Sequence, residues 1–166
     1  MPVYWFEFET PYSPDAAIER VRSITAEPPS SLEYIRRAWR FETSSQPFLG
    51  EVEDYSFRIR RDISYRNSFL PQIRGTVTST PAGSKISVKM FVHPAAGIFM
   101  LIWLGGTALV TLNTLVGSHP KSASGSFVPL GMFLFGLFLS CGGFFPEALK
   151  ARRLLEAAIN HQGLDE

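Results

Sequence analysis

Ala95 to Val116 reads AAGIFMLIWLGGTALVTLNTLV, and Phe127 to Phe145 reads FVPLGMFLFGLFLSCGGFF. The two stretches hold 22 and 19 residues without a charged side chain, and the short polar loop Gly117 to Ser126 separates them. At a rise of 1.5 Å per residue, each is long enough to cross a hydrocarbon core of about 30 Å. The pair predicts a transmembrane helical hairpin with spans at 95–116 and 127–145.

Outward from that hairpin the chain divides by composition. Residues 1–93 are mixed and charged and predict a soluble α+β domain; 94–146 form the hairpin; 147–166 predict a short C-terminal helix. A net charge of +1 over 166 residues lacks the basic excess that nucleic-acid binding calls for. Cys141, the one cysteine, has no internal disulfide partner and reads as a small apolar filler within the second span.

Met1 to Thr10 lacks a basic start and an unbroken apolar run, with Glu7 and Glu9 interrupting it, so no cleavable signal is expected there. The first span is then expected to direct insertion, leaving the preceding domain in the cytoplasm. Charge counting agrees. Lys85 and Lys89 precede the first span and Lys150, Arg152 and Arg153 follow the second, against Lys121 alone in the connecting loop. Five against one places both termini inside.

Within the soluble part, Val3, Trp5, Phe6 and Phe8 predict an N-terminal strand. Ser13-Pro14-Asp15 is a helix start, with Ser13 as N-cap, Pro14 at the first position and Asp15 at the positive end of the dipole. Ala17, Ile18, Val21 and Ile24 give that helix an apolar stripe, and it should stop by Glu27, before Pro28-Pro29. Ser30 to Gln46 fits a helix or a strand, with a strand over Tyr34 to Phe41 preferred.

Two hairpins follow. Phe48–Glu53 and Ser56–Arg60 flank a turn at Asp54-Tyr55, in a register that sets Val52 opposite Phe57 and Glu51 opposite Arg58. Gln72–Thr80 and Lys85–Val92 flank a turn at Ala82-Gly83, with Val77 opposite Val88, Ile73 opposite Val92, Thr76 opposite Lys89 and Thr80 opposite Lys85. If both hairpins join one sheet, Arg58, Arg60, Arg74, Lys85 and Lys89 line one surface. That surface reads either as a solvated face or as one held against anionic headgroups, where each basic residue is worth about 1 kcal/mol.

Between the hairpins, Tyr65-Arg66-Asn67-Ser68-Phe69-Leu70-Pro71 mixes aromatic, basic and amide groups. Tyr65, Arg66, Asn67 and Phe69 fit an interaction loop. They fit equally a packed crossover in which Asn67 bonds backbone while Phe69 and Leu70 cap the core. These residues, with Phe48-Leu49-Gly50-Glu51-Val52, Phe57-Arg58-Ile59-Arg60-Arg61, Gly75, Ile86-Ser87-Val88-Lys89-Met90 and His93-Pro94, resemble a family of small uncharacterised bacterial two-span membrane proteins with an N-terminal soluble domain. The resemblance covers about half of the chain. It implies the architecture and a bacterial origin, which makes a bacterial inner membrane the expected location, and it transfers no site.

Thr107, Thr111, Asn113, Thr114 and Ser140 are the polar residues of the spans, and neither span holds the intramembrane charge that marks a pump or carrier. Gly105-Gly106, Gly131, Gly136 and Gly142-Gly143 permit close helix contact, between the spans or between copies of the chain. Trp103 lies mid-span, packed on a neighbour or facing lipid. After Pro146, at a first helical position or a kink, Glu147 to Asn160 is strongly helical and amphipathic, with Leu155, Ala158 and Ile159 beside Ala148 and Ala151. This helix either lies on the membrane, with Arg152 and Arg153 at the headgroups, or packs under the sheet, and Gly163 ends it.

His93, His119 and His161 are scattered, and zinc spacing, a phosphate loop, a serine elbow and a His–Glu helix pair are absent from the sequence. No cofactor, metal or enzymatic activity is expected. Asp54 and Asp62 read as ion-paired turn residues. The leading expectation is a non-catalytic, membrane-tethered interaction module binding a protein partner at the cytoplasmic membrane face, with membrane lipids around it. One alternative is a site for a lipid or apolar ligand between sheet and helix, motivated by Trp5, Phe6, Phe8 and the Phe69-Leu70 edge. The other is a subunit of an oligomeric assembly or channel, self-associating through the spans along Thr107, Thr111 and Thr114.

Overall fold

The computed structural model describes residues 2–28, 43–116 and 123–160, the backbone alone over 123–126. The expected strand over 34–41, most of the inter-span loop with His119 and Lys121, and the tail from 161 with His161 and Gly163 lie outside the described residues.

Alternation of apolar and polar residues builds the sheet. Strands β1 (Val3–Thr10), β2 (Thr25–Ala26), β3 (Phe48–Val52), β4 (Ser56–Arg61), β5 (Pro71–Thr80) and β6 (Gly83–Val92) form one six-stranded sheet in the order β1-β6-β5-β4-β3-β2. All neighbours are antiparallel except β2 and β3. Helix α1 (Pro14–Ser23) starts where Ser13 Oγ accepts from the Ala16 amide at 3.3 Å, and Ala17, Ile18 and Val21 are buried. It ends four residues before the limit set by the prolines. Thr25 Oγ1 donates to Val21 O at 2.7 Å, and Thr25–Ala26 pairs with Phe48–Leu49 instead of continuing the helix.

The first hairpin has the expected register, with Val52 opposite Phe57 and Glu51 opposite Arg58. The second is shifted by two residues: Val77 faces Ile86, Ile73 faces Met90, Thr76 faces Ser87 and Thr80 faces Gly83, across a tight turn at Pro81-Ala82. Side chains repeat every two residues along a strand, so a slip of two leaves each one on its own face and the hydrophobic pattern cannot detect it. Gly83 sets the register. It has φ +140°, and a Cβ there would stand 2.2 Å from the Thr10 carbonyl oxygen on β1.

Helix α2 (Pro94–Val116) and helix α3 (Ala123–Asn160) form the apolar hairpin. Both are long and apolar enough to cross a membrane, and only 17% of each apolar window is buried. Trp103 packs on the neighbouring span, its indole Cδ1 3.0 Å from where a Gly136 Cβ would stand. Thr107, Thr111 and Ser140 donate to carbonyls of the preceding turn at 2.7–3.0 Å, as expected for hydroxyls in an apolar helix.

At 38 residues α3 is about 57 Å long. It runs through Pro146 without ending, and its last four turns pack under the sheet. Phe144, Ala148, Ala151, Leu155 and Ile159, spaced at three and four residues, are fully buried in one core with Phe6, Ile18, Val21, Phe57, Ile73, Val88 and Met90. The two placements left open for the C-terminal helix resolve here in favour of the sheet. The fold is α+β, with a helical hairpin whose second helix also serves as a core element.

Candidate functional site

The segment that joins β4 to β5 is fastened to α3. Pro146 has no amide hydrogen, so the helical bond to the Gly142 carbonyl is missing and the turn before it is disturbed. There Asn67 Nδ2 donates to Gly143 O at 2.8 Å, while Asn67 Oδ1 accepts from the Phe69 amide at 2.9 Å. Gly143 allows this approach, since a Cβ would lie 3.0 Å from Phe69 Cδ2 and 3.2 Å from Asn67 Oδ1. Of the two readings of this segment, the packed crossover describes Asn67 and Phe69.

One turn further, Glu147 has a side chain only 5% exposed. Its carboxylate accepts from Arg61 Nη1 on one oxygen and from the Tyr65 hydroxyl at 2.5 Å on the other, and Lys150 Nζ lies 3.4 Å away. Burial pushes the Glu147 carboxyl up, but the Tyr65 hydroxyl, Arg61 and Lys150 together outweigh it and hold the group below the usual carboxylate range. The Tyr65 hydroxyl is raised, first by burial and then by the carboxylate it donates to. Glu147 thus stays ionised and fully engaged, which makes the cluster a fastening of sheet to helix. Arg66, between the fastened Tyr65 and Asn67, is exposed.

The opposite face of the sheet carries exposed side chains on β1, β6, β5 and β4 among the described residues, whereas Leu49 on β3 is buried there. Across four strands Trp5, Lys89, Arg74 and Arg58 stand in one lateral row that ends at Glu51 on β3. Trp5 is 63% exposed, and Lys89, Arg74 and Arg58 are exposed with it. The row nearer the hairpin holds Val3, Phe91, Gln72 and Arg60. The Arg74 guanidinium lies 5.0 Å from the centre of the Phe91 ring, a cation–π contact between the rows. Farther from the hairpin Lys85 pairs with Glu7 at 2.5 Å, and Ser87 Oγ donates to the same carboxylate at 2.8 Å. That pairing, led by the Lys85 bond, holds Glu7 below its ordinary range.

The register therefore brings Arg58, Arg74 and Lys89 together, sets Arg60 one row away and engages Lys85 elsewhere. Arg152 is turned inward: it donates to the Tyr4 hydroxyl at 2.6 Å and to Glu156 at 2.8 Å, and lies 5.0 Å from the Phe6 ring centre. It is not free to serve as a headgroup anchor, because α3 packs this face on β1. Arg153 is exposed. Asp62 accepts from the Ser44 amide at 2.5 Å rather than from a basic side chain among the described residues.

A third feature lies inside the hairpin. A cavity of about 360 Å³ opens between α2 and α3 beneath the end of the sheet, lined by Gly97, Leu101 and Gly105 on one helix and Leu137, Cys141 and Phe145 on the other. Phe69 and Val92 close its sheet end. The first-strand aromatics do not line it together: Phe6 is in the core and Trp5 is on the opposite face. Sequence reasoning passed over Arg61, Glu147 and this cavity. The one available signal was a lone carboxylate directly after a 19-residue apolar run, a place where an acid needs a partner.

No protein-family model matches the chain, and no curated protein matches it. Among solved structures, the crystal structure of the protein MLL2253 from Mesorhizobium loti is similar over 63% of this chain and 88% of its own, at 12% identity and a TM-score of 0.33. A likeness that loose carries neither fold nor activity across.

Proposed function

We propose that the protein is a non-catalytic, membrane-tethered interaction module of the bacterial inner membrane. The apolar hairpin crosses the bilayer, both termini lie in the cytoplasm, and the sheet presents its open face to a protein partner with an acidic surface. The observation that carries this reading is the exposed Trp5–Lys89–Arg74–Arg58 row. Tryptophan and arginine are the residues that most often dominate binding energy when a partner desolvates them, and three aligned cations ask for an acidic complement.

Where β6 runs along the membrane normal, Lys89, five residues before Pro94, stands up to about 17 Å from the start of the hairpin, beyond a headgroup layer about 5–7 Å thick. The five-to-one charge bias and the resemblance to bacterial two-span proteins support the orientation and the membrane.

A photo-crosslinking residue at Arg74, introduced into the full chain in native membranes, tests the reading. A discrete protein adduct at Arg74, lost on Trp5→Ala and absent from a probe at the buried Val88, is the expected result. Adducts to lipid alone, or no adduct, would overturn it.

A further inference from the structure

The hairpin cavity is elongated and almost wholly apolar. Trp103 on Gly136 draws the helices together, and from there the cavity runs to the sheet. Its lining spans Gly97 to Gly105 on α2 and Leu137 to Phe145 on α3, in each case eight residues or about 12 Å. An extended hydrocarbon chain matches that length and that apolar lining. The one hydroxyl in the lining, Ser140, spends its hydrogen on Leu137 O.

A cation lies near the sheet end of the cavity. Phe69, which lines that end, lies three residues after Arg66, so the two α-carbons are at most about 11 Å apart. Asn67 between them is held on the Gly143 carbonyl, so the loop has a fixed place on α3. Arg66 is exposed and has no hydrogen-bond or ion-pair partner among the described residues. Its planar guanidinium is matched to phosphate oxygens, which it binds in pairs.

We infer that the cavity between α2 and α3 is a site for one anionic phospholipid, with an acyl chain between the helices and the phosphate on Arg66. This goes beyond the docking face and rests only on the hairpin crossing a bilayer.

The test uses the full chain extracted in mild detergent, delipidated, and incubated with phosphatidylglycerol or phosphatidylcholine before native mass spectrometry. Wild type should retain one phosphatidylglycerol at least fivefold more than phosphatidylcholine. Arg66→Gln should lower phosphatidylglycerol retention more than phosphatidylcholine retention and so abolish that preference. Cys141→Trp should lower retention of both lipids about tenfold. Gly105→Leu, whose added Cβ meets no atom within 4 Å, should do the same and decides the matter if the tryptophan variant fails to fold. Equal retention of the two lipids by wild type, or full retention by the filled variants, would overturn the inference. Recovery of the chain in the soluble fraction after a carbonate wash would instead refute the membrane-spanning reading.

Discussion

Arg61, the last residue of β4, and Glu147, two residues past the apolar run of α3, meet in an ion pair across 86 positions of sequence. Their side chains are 18% and 5% exposed, so most of their charge is removed from water. The pair couples sheet to hairpin, because Glu147 directly follows Pro146 on the helix that continues into the apolar segment. Arg61 Nε is buried without a hydrogen-bond partner, so the pair is imperfectly compensated. Arg61→Met should destabilise the fold by about 3 kcal/mol, because it strands a buried carboxylate. The double variant Arg61→Met with Glu147→Leu should recover most of that loss. Thermal unfolding of the detergent-solubilised chain, followed by circular dichroism, compares the three.

The same carboxylate predicts a pH dependence. Glu147 titrates below its ordinary value of 4.5 in the folded chain, so the unfolded chain binds more protons as acid is added. Stability is therefore fully present above about pH 4.5 and is lost as pH falls through the lower folded value. Tyr65 is raised above its ordinary value of 10.0, and its share is present below that pH and lost as pH climbs through the higher folded value. Glu147→Gln should flatten the acid limb of a plot of melting temperature against pH. Tyr65→Phe should flatten the alkaline limb.

Asn67 donates to Gly143 O and accepts from the Phe69 amide. Asn67→Ala removes both bonds and leaves a helix carbonyl beside Pro146 without its side-chain donor. At roughly 1 kcal/mol for each bond, the loss should be about 2 kcal/mol in the same unfolding measurement. Asn67→Asp should do no better, since a carboxylate keeps the acceptor but has no amide hydrogen for Gly143 O.

Gly75 lies opposite Phe57 on the core face, and a Cβ there would fall 2.0 Å from Phe57 Cζ. Phe57 is 1% exposed and has no open side to retreat to. Gly75→Ala should lower stability by about 1–3 kcal/mol through overpacking. Adding Phe57→Leu, which removes the ring that clashes, should make the alanine better tolerated than it is alone. A double-mutant cycle on melting temperature reads that coupling.

Which of these features the sequence foretold follows from the range of the interactions. The register of β3 with β4 was legible because the tight turn at Asp54-Tyr55 selects Val52–Phe57 and Glu51–Arg58 over the equally patterned Val52–Ile59 and Glu51–Arg60. The register of β5 with β6 was not, since Val77 opposite Val88 and Val77 opposite Ile86 satisfy the same alternation and only Gly83 against Thr10 separates them. Pro146 reads locally as a helix start or a kink, yet α3 continues through it, supported by a donor from Asn67, 76 residues away. The basic row was legible in kind, because strand parity alone sets the face. Its alignment with Trp5 depended on which strand pairs with β6. The cavity lay beyond sequence altogether, being a property of how two apolar helices part below Trp103.

Neighbouring aromatics on β1 separate fold from function. Phe6 faces the core at 7% exposure and packs with Phe144, Leu155 and Ile18, whereas Trp5, one residue earlier, is 63% exposed on the open face opposite Lys89. Phe6→Ala should destabilise the chain by about 3–5 kcal/mol, the usual loss for a buried ring. Trp5→Ala should change stability by no more than about 0.5 kcal/mol, as at other exposed sites. If the open face docks a partner, that same silent substitution should remove the crosslink from position 74, because an exposed indole contributes its energy only when a partner buries it. A Trp5→Ala chain that melts like wild type and still yields the full adduct would place the docking energy on the arginines alone. Arg58→Glu, which reverses the charge directly opposite position 74, would then be the variant that abolishes it.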